Sequence, residues 1–153
     1  MLDRRVIGKH YPAAWNEVEK GAIRRFAEAI GDLNPLHLDE GHARAQGYRG
    51  LVAPPTFAAT LGCGVDFREV LGLAHRNVLV GELSLDLHAP ICAGDRVQVQ
   101  GRVLDLYEKH AAGGMIDYAV IEDEGRGEKG DLLFRARRTW VIRPMSRAGE
   151  GAV

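Results

Sequence analysis

The segment "ELSLDLHAPICAGDRVQVQGRVLDLYE", residues 82–108, decides the fold class. Its first part alternates, with Leu83, Leu85 and Leu87 on one face and polar residues between them. A period of two indicates a half-buried strand, and "PICAGD" has the proline and glycine of a turn before a second alternating run. Two later runs, "MIDYAVIEDE" and "LLFRARRTWVIR", are joined by "GRGEKGD", a polar loop typical of a hairpin. The second half of the chain is therefore predicted to form antiparallel strands.

The first half has a helical period instead. Residues 16–30 carry apolar side chains at intervals of four, which predicts an amphipathic helix. Asn16 and Glu19 fit a capping box at its start, and Gly31 is placed to end it in a left-handed conformation. A short helix is predicted from Glu40 to Gln46, with Asp39 as its N-cap.

A longer helix is predicted from Pro54 to about Leu71. Pro54 and Pro55 suit a first turn, where their missing N–H groups cost little. Helices followed by a run of antiparallel strands are typical of an α+β fold, here with the sheet curled around this central helix. One domain is expected over residues 1–145, with residues 146–153 as a flexible C-terminal tail.

The composition is that of an ordinary globular protein. The 153 residues are 46% hydrophobic and 27% charged, and the net charge is −1. Because this balance attracts no polyanion over long range, a general nucleic-acid or membrane binder is disfavoured. The N-terminal residues contain no apolar run typical of a signal peptide, so a cytoplasmic protein is expected, with Cys63 and Cys92 as free thiols rather than a disulfide.

The stretch "GDLNPLH", residues 31–37, has two interpretations from its residues alone. Asp32 after a helix end can close a local turn, and His37 can be an ordinary surface histidine. Alternatively, an imidazole that titrates near neutrality beside a carboxylate can take and return a proton. The spacing of five positions does not decide whether the two side chains converge.

Other candidate chemistry is weaker. The remaining histidines have no metal-ligand spacing; His42 is predicted to face solvent, and His88 to lie on the outward face of a strand. The sequence contains neither the GxSxG of a serine nucleophile nor a glycine-rich nucleotide loop. No metal and no nucleotide cofactor is therefore predicted.

The segment "FAEAIGDLNPLHLDEGHARAQGY", residues 26–48, resembles the hydratase-2 signature of the MaoC-like (R)-specific enoyl-CoA hydratases and 3-hydroxyacyl dehydratases. The downstream "GYRGLVAPPTF" and "VGELSLDLHAPICAGD" are similar to the branch of this family known as the FAS1-like dehydratase domain. That branch is found in paired subunits of actinobacterial fatty-acid dehydratases. The resemblance covers residues 5–143.

This resemblance implies a single hot-dog fold and a hydro-lyase activity. The expected reaction is hydration of a trans-2-enoyl thioester, or dehydration of the (R)-3-hydroxyacyl thioester. The substrate would be carried on coenzyme A or acyl carrier protein, with pantetheine as part of the substrate and no separate cofactor. A homodimer, or a heterodimer with a second MaoC-like chain, is implied. The alternatives are a binding subunit that shapes the tunnel of a heteromeric hydratase and, as a minor one, a hot-dog thioesterase.

The resemblance also assigns site residues. Asp32 and His37 would bind one catalytic water, with no metal. The expected substrate-binding residues are Asn34, Pro35, Val52, Ala53, Thr56 and Gly81.

One departure from the family pattern concerns the start of the central helix. Members that act alone usually have His-Gly there, whose backbone N–H polarises the thioester carbonyl, but Ala53 and Pro54 occupy these positions, followed by Pro55. Proline has no N–H to donate, so either the Thr56 N–H or a partner chain would have to replace it. The partners in this branch that are non-catalytic generally lack the Asp/His pair, which this sequence retains.

Overall fold

A computed structural model describes residues 2–111 and 114–144; the predicted tail, residues 146–153, lies outside this range. The structure is a five-stranded antiparallel sheet, with strand order β1-β3-β4-β5-β2, and helices packed against one face. The strands are β1 (Ala14–Glu17), β2 (Arg76–Leu87), β3 (Arg96–Ala111), β4 (Gly114–Arg126) and β5 (Leu132–Pro144). The helices are α1 (Lys20–Ile30), α2 (Pro35–Leu38), α3 (Glu40–Ala45) and α4 (Phe67–Val70), with 3₁₀ turns at Arg4–Val6 and Pro55–Thr60. The predicted α+β fold and the four strands of the second half are confirmed.

The predicted start of the first helix was wrong. Residues 14–17 form strand β1, paired with β3, and α1 begins only at Lys20. Asn16 does not cap the helix, because its amide donates to the Gly62 carbonyl at 2.9 Å and accepts from the Gly62 N–H at 3.1 Å. The predicted end is confirmed: Gly31 has φ of 72° and its N–H donates to the Ala27 and Glu28 carbonyls.

The prediction of one continuous central helix was also wrong. The 3₁₀ turn Pro55–Thr60 and the single turn of α4 are separated by residues 61–66. Gly64 has φ of 73°, and the Asp66 carboxylate accepts from the Arg68 N–H at 2.8 Å, which caps α4. Phe57 and Phe67 are nevertheless buried, so the segment still fills the concave side of the sheet.

The interior of the sheet is tightly packed around β4. A Cβ on Gly125 would come within 2.1 Å of the Phe134 ring, so only glycine lets that ring cross β4.

On the outer face of the sheet, the carboxylate of Glu122 accepts hydrogen bonds from Arg102 at 2.6 Å and from Arg137 at 3.0 Å. Burial alone would raise the pKa of Glu122, but the hydrogen bonds from the two arginines outweigh it and hold the pKa below its usual range.

Strand β2 forms an exposed edge of the sheet. Leu79 and Val80 are each 59% exposed, and Leu83 and Leu87 are 43% and 45% exposed. The alternation therefore predicted the strand correctly, but not the burial of its leucines in a single chain. The other side of β2 has no strand partner among the described residues. Within the described part of the chain, no helix is long and apolar enough to cross a membrane.

Candidate active site

A cavity of about 550 Å³ opens between the loop after α1, the start of the 3₁₀ turn and the end of β2. It falls within the usual size range of small-molecule sites. Polar groups are concentrated on the side formed by residues 32–37, and the rest of the lining is mainly apolar. The lining residues are Asp32, Asn34, His37, Val52, Ala53, Pro54, Pro55, Leu87, His88, Ala89, Pro90 and Ile91.

Local hydrogen bonds fix the loop that carries the two candidate catalytic residues. The Asp32 N–H donates to the Ala27 carbonyl at 2.9 Å, which continues the turn that ends α1. One carboxylate oxygen of Asp32 accepts from the Asn34 N–H at 3.2 Å, and Asn34 Oδ1 accepts from the Leu36 N–H at 3.0 Å, capping α2. One oxygen of Asp32 thus makes the predicted local turn while the other faces His37. The interpretation of His37 as a surface histidine was wrong, because the residue is buried.

His37 is held in one tautomer. The residue is 5% exposed, and its Nδ1 lies 2.6 Å from the Val52 carbonyl oxygen. Because a carbonyl oxygen can only accept, this contact assigns a proton to Nδ1, so that in the neutral imidazole the lone pair is on Nε2. Nε2 lies 3.2 Å from Asp32 Oδ2, and the Asp32 side chain is 40% exposed.

This arrangement can receive a proton. When His37 is neutral, its Nε2 and the Asp32 carboxylate are both acceptors, so a donor such as a water molecule would satisfy both of them at the cavity surface. Such a water would be activated if Nε2 took one of its protons while the carboxylate stabilised the imidazolium that forms. Asp32 and His37, five positions apart in sequence, thus converge at the cavity surface, with the proximity that an acid/base pair requires.

The Val52 carbonyl that orients His37 is itself anchored from two sides. The N–H of Val52 donates to the Leu36 carbonyl at 2.9 Å, which ties residue 52 to α2. An isolated antiparallel bridge joins Val52 to Cys92, flanked by hydrogen bonds of 2.8 Å from Ala53 N–H to the Ile91 carbonyl and from Ala93 N–H to the Leu51 carbonyl. The cavity wall at residues 51–53 is thus fixed to the turn after β2.

Neither cysteine lines the cavity. Both are buried free thiols, and burial raises the pKa of Cys92 above its usual range. A thiol with a raised pKa is a poor nucleophile.

Some of the predicted substrate-binding residues line the cavity and others do not. Asn34, Val52 and Ala53 line it. Pro35 is the first residue of α2, and Thr56 is an exposed residue of the 3₁₀ turn. Gly81 lies at the bulge of β2, where a Cβ would come within 2.8 Å of Val141, so its lack of a side chain serves packing.

The sequence interpretation missed the opposite wall, residues 87–91. His88 was expected on the outward face of a strand, but β2 ends at Leu87 and His88 lines the cavity. Its N–H donates to the Leu133 carbonyl at 2.9 Å, which ties this wall to the start of β5. Pro90 was the available signal, because a proline two residues on marks the point where strand alternation stops predicting direction.

The curled antiparallel sheet packed against short helices is a hot-dog fold. It matches a C-terminally truncated HadBC (3R-hydroxyacyl-ACP dehydratase) complex from Mycobacterium tuberculosis with a TM-score of 0.76 and 24% identity, over 90% of this chain and 96% of that one. It also matches the (R)-hydratase from A. caviae involved in PHA biosynthesis, with a TM-score of 0.65 and 21% identity, over 88% and 94% of the two chains.

The chain belongs to the family of the FAS1-like dehydratase domain region, whose model matches residues 5–136. Among its relatives, a UPF0336 protein of Saccharopolyspora erythraea is 37% identical over 98% of this chain and 97% of that protein. A UPF0336 protein of Streptomyces griseus is 34% identical over 96% and 99%.

Proposed function

We propose that this chain is a hydro-lyase that adds water to trans-2-enoyl thioesters with (R) stereochemistry and, in reverse, dehydrates (R)-3-hydroxyacyl thioesters. The observation that supports this proposal is the contact of His37 Nδ1 with the Val52 carbonyl, which turns Nε2 toward Asp32 at the cavity surface. Hydration needs one group that acts first as a base and then as an acid. A neutral imidazole beside a carboxylate meets this need without a metal.

Hydration would take place through two proton transfers, both at Nε2 of His37. A water held by Asp32 and His37 gives a proton to Nε2, and its oxygen forms a bond to C3 of the enoyl group. The C2–C3 π electrons move toward C2 and the thioester oxygen, giving an enolate. The proton on Nε2 is then delivered to C2, the enolate collapses, and His37 returns to its starting state.

The cavity suits an acyl thioester. Apart from the residue 32–37 wall its lining is mainly apolar, and a hydrocarbon chain fits such a surface. We propose that the substrate is carried on coenzyme A or acyl carrier protein, so that pantetheine belongs to the substrate and no other cofactor is needed. A cytoplasmic location stays a prediction.

We further propose that the chain works as a dimer, either with a second copy or with another MaoC-like chain. Strand β2 supports this proposal, because it combines a free edge with the exposed side chains of Leu79, Val80, Leu83 and Leu87. Two of the structures similar in fold are named as complexes, HadBC and ChsH1-ChsH2. Leu87 also lines the cavity, so a partner at β2 would reach the rim of the site.

The function is tested by measuring the loss of enoyl absorbance when the purified protein meets crotonyl-CoA. We expect Asp32→Asn and His37→Gln to lower kcat by about 10²–10⁴-fold, the usual contribution of general acid–base catalysis. His42→Ala is the matched control, because His42 is exposed on α3 outside the cavity. Hydration that survives both substitutions at the wild-type rate would contradict the assigned roles.

A second candidate, a binding subunit of a heteromeric hydratase, is favoured by Pro54 and Pro55, which give the cavity wall no backbone donor. It predicts that the chain alone is inactive and that adding a co-purifying MaoC-like chain restores activity. In that complex, Asp32→Asn would leave the rate unchanged if this chain only binds substrate.

A further inference from the structure

We propose that His88 donates the hydrogen bond that stabilises the thioester oxygen during hydration. This inference rests on the proposed function, because the oxygen in question belongs to the enoyl thioester. Negative charge develops on that oxygen when water adds to C3, and a donor aimed at it usually contributes more than any other single group. Within this chain the candidate donors are the N–H and O–H groups that line the cavity, and Thr56 is not among the lining residues.

The wall at residues 52–55 supplies none from its backbone. The Val52 N–H donates to the Leu36 carbonyl, and the Ala53 N–H donates to the Ile91 carbonyl at 2.8 Å. Pro54 and Pro55 have no N–H. The four side chains of this wall are apolar.

Side-chain donors are few as well. Among the described residues that line the cavity, those with side-chain N–H groups are Asn34, His37 and His88. His37 already donates from Nδ1 to the Val52 carbonyl, and Asn34 lies on the same loop as Asp32. His88 is the side-chain donor on the opposite wall, and within the described chain its ring makes no hydrogen bond.

The direction of attack favours His88 over Asn34. Water adds to C3 perpendicular to the conjugated plane of the enoyl thioester, whereas the lone pairs of the carbonyl oxygen lie in that plane. A donor on the loop that holds the water lies on the same face of the substrate as that water. A donor on a separate wall can instead approach the carbonyl oxygen in the plane of the enoyl thioester. The backbone of His88 is fixed by its N–H bond to the Leu133 carbonyl, and its exposed ring is free to turn to the substrate.

The role requires no transfer of a proton by His88. Its N–H stays covalently intact, the hydrogen bond shortens as the enolate forms, and it lengthens again when C2 is protonated. The acid/base cycle remains that of His37. Because only an N–H is required, glutamine at this position should preserve much of the function, whereas alanine should not.

The kinetic test compares His88→Ala, His88→Gln and the control His42→Ala with crotonyl-CoA. We expect His88→Ala to lower kcat by about 10²–10³-fold, as loss of one such donor does elsewhere, with a much smaller change in KM. His88→Gln should recover most of that loss. Wild-type kcat in His88→Ala would overturn the inference while leaving the roles of Asp32 and His37 intact, and equal losses in the alanine and glutamine variants would also overturn it.

A spectroscopic test separates this inference from the proposed function. Crotonyl-CoA labelled with ¹³C at the thioester carbonyl is bound to the slow His37→Gln variant, and its carbonyl stretch is measured by isotope-edited infrared difference spectroscopy. We expect a shift to lower wavenumber that disappears in His37→Gln/His88→Ala. A shift that persists in the double variant would overturn the role of His88, even if hydration is confirmed. A His88-dependent shift without turnover would support the donor and contradict the activity, and failure of the thioester to bind would contradict both.

Discussion

The two walls of the cavity differ in how completely this chain alone pairs their polar groups and buries their side chains. The first, formed by residues 31–38 and 51–53, has its polar groups paired locally, from the turn at Asp32 to the Val52 carbonyl that holds His37. The second, formed by residues 87–91 at the end of β2, joins an exposed edge strand and carries one free imidazole. We name them the closed wall and the open wall.

The difference indicates where the chain depends on other molecules. The closed wall fixes the tautomer of its histidine before any substrate arrives, which is the preorganisation that proton transfer requires. The open wall and the strand β2 that leads into it leave apolar side chains and a strand edge in solvent, which a partner subunit and an acyl chain would cover.

A matched pair of leucine truncations tests the contrast most strongly. Leu51 is 0% exposed beside the Val52 carbonyl, and Leu87 is 45% exposed on the open wall. We expect Leu51→Ala to lower the free energy of unfolding by about 2–5 kcal/mol, because it leaves a cavity in the core. Leu87→Ala should cost no more than about 1 kcal/mol. Urea unfolding measures both; equal costs would show that the open wall is buried in the state that unfolds.

Placing a charge on β2 tests whether the edge strand that leads into the open wall meets a partner. Burying a leucine is worth about 1.5–3 kcal/mol, and burying an unpaired carboxylate is unfavourable. We therefore expect Leu79→Glu to convert a dimer to a monomer in sedimentation velocity at low micromolar concentration. Ala29→Glu, with the same charge change on an exposed position of α1, is the control. If Leu79→Glu remained a dimer with the same dissociation constant as the wild type, β2 would be excluded as the contact.

Glu122→Gln tests how the sheet supports the open wall. Strand β2, which leads into that wall, pairs with β5, and Arg137 of β5 donates a hydrogen bond to Glu122. We expect a loss of about 1–2 kcal/mol at pH 7, since hydrogen bonds to a charged group are removed and the arginines are partly exposed. The pKa of Glu122 in the folded state lies below its ordinary value of 4.5. The stabilisation is therefore complete above about pH 4.5 and is lost as the pH falls through the folded-state pKa. Urea unfolding of both proteins at pH 7 and near pH 3 should show the difference shrinking with acid; a constant difference would contradict the ionic role.

Pro54→Ala restores a backbone N–H in the lining of the cavity. Proline restricts the unfolded chain and the side chain of Pro54 is fully buried, so its replacement should cost about 1–3 kcal/mol. In the His88→Ala background we expect it to raise kcat, because it adds a donor where the wall has none. Comparison of kcat for His88→Ala with and without Pro54→Ala measures this. No change in kcat would mean that the new N–H does not reach the thioester oxygen.

Local sequence patterns predicted the features that depend on neighbouring residues. Alternation gave the four long strands, and Gly31 and Asp39 were correctly placed at helix ends. β1 was missed because four residues are too few to show a period, and their pairing with β3 is non-local. The central helix failed at residues 61–66, where Gly62 is bonded to the distant Asn16 and Gly64 adopts positive φ.

The features of the candidate site also fall into those that local sequence determined and those that depend on distant residues. The sequence by itself determined that a carboxylate and an imidazole stand on one short loop, because a glycine stop, an Asx turn and a proline at the start of α2 are all local devices. Only the tertiary structure decided the direction of the imidazole, since the Val52 carbonyl is held by a bridge to Cys92, forty residues along the chain. It also decided that His88 faces the same cavity, because residues remote in sequence meet there only when the sheet curls.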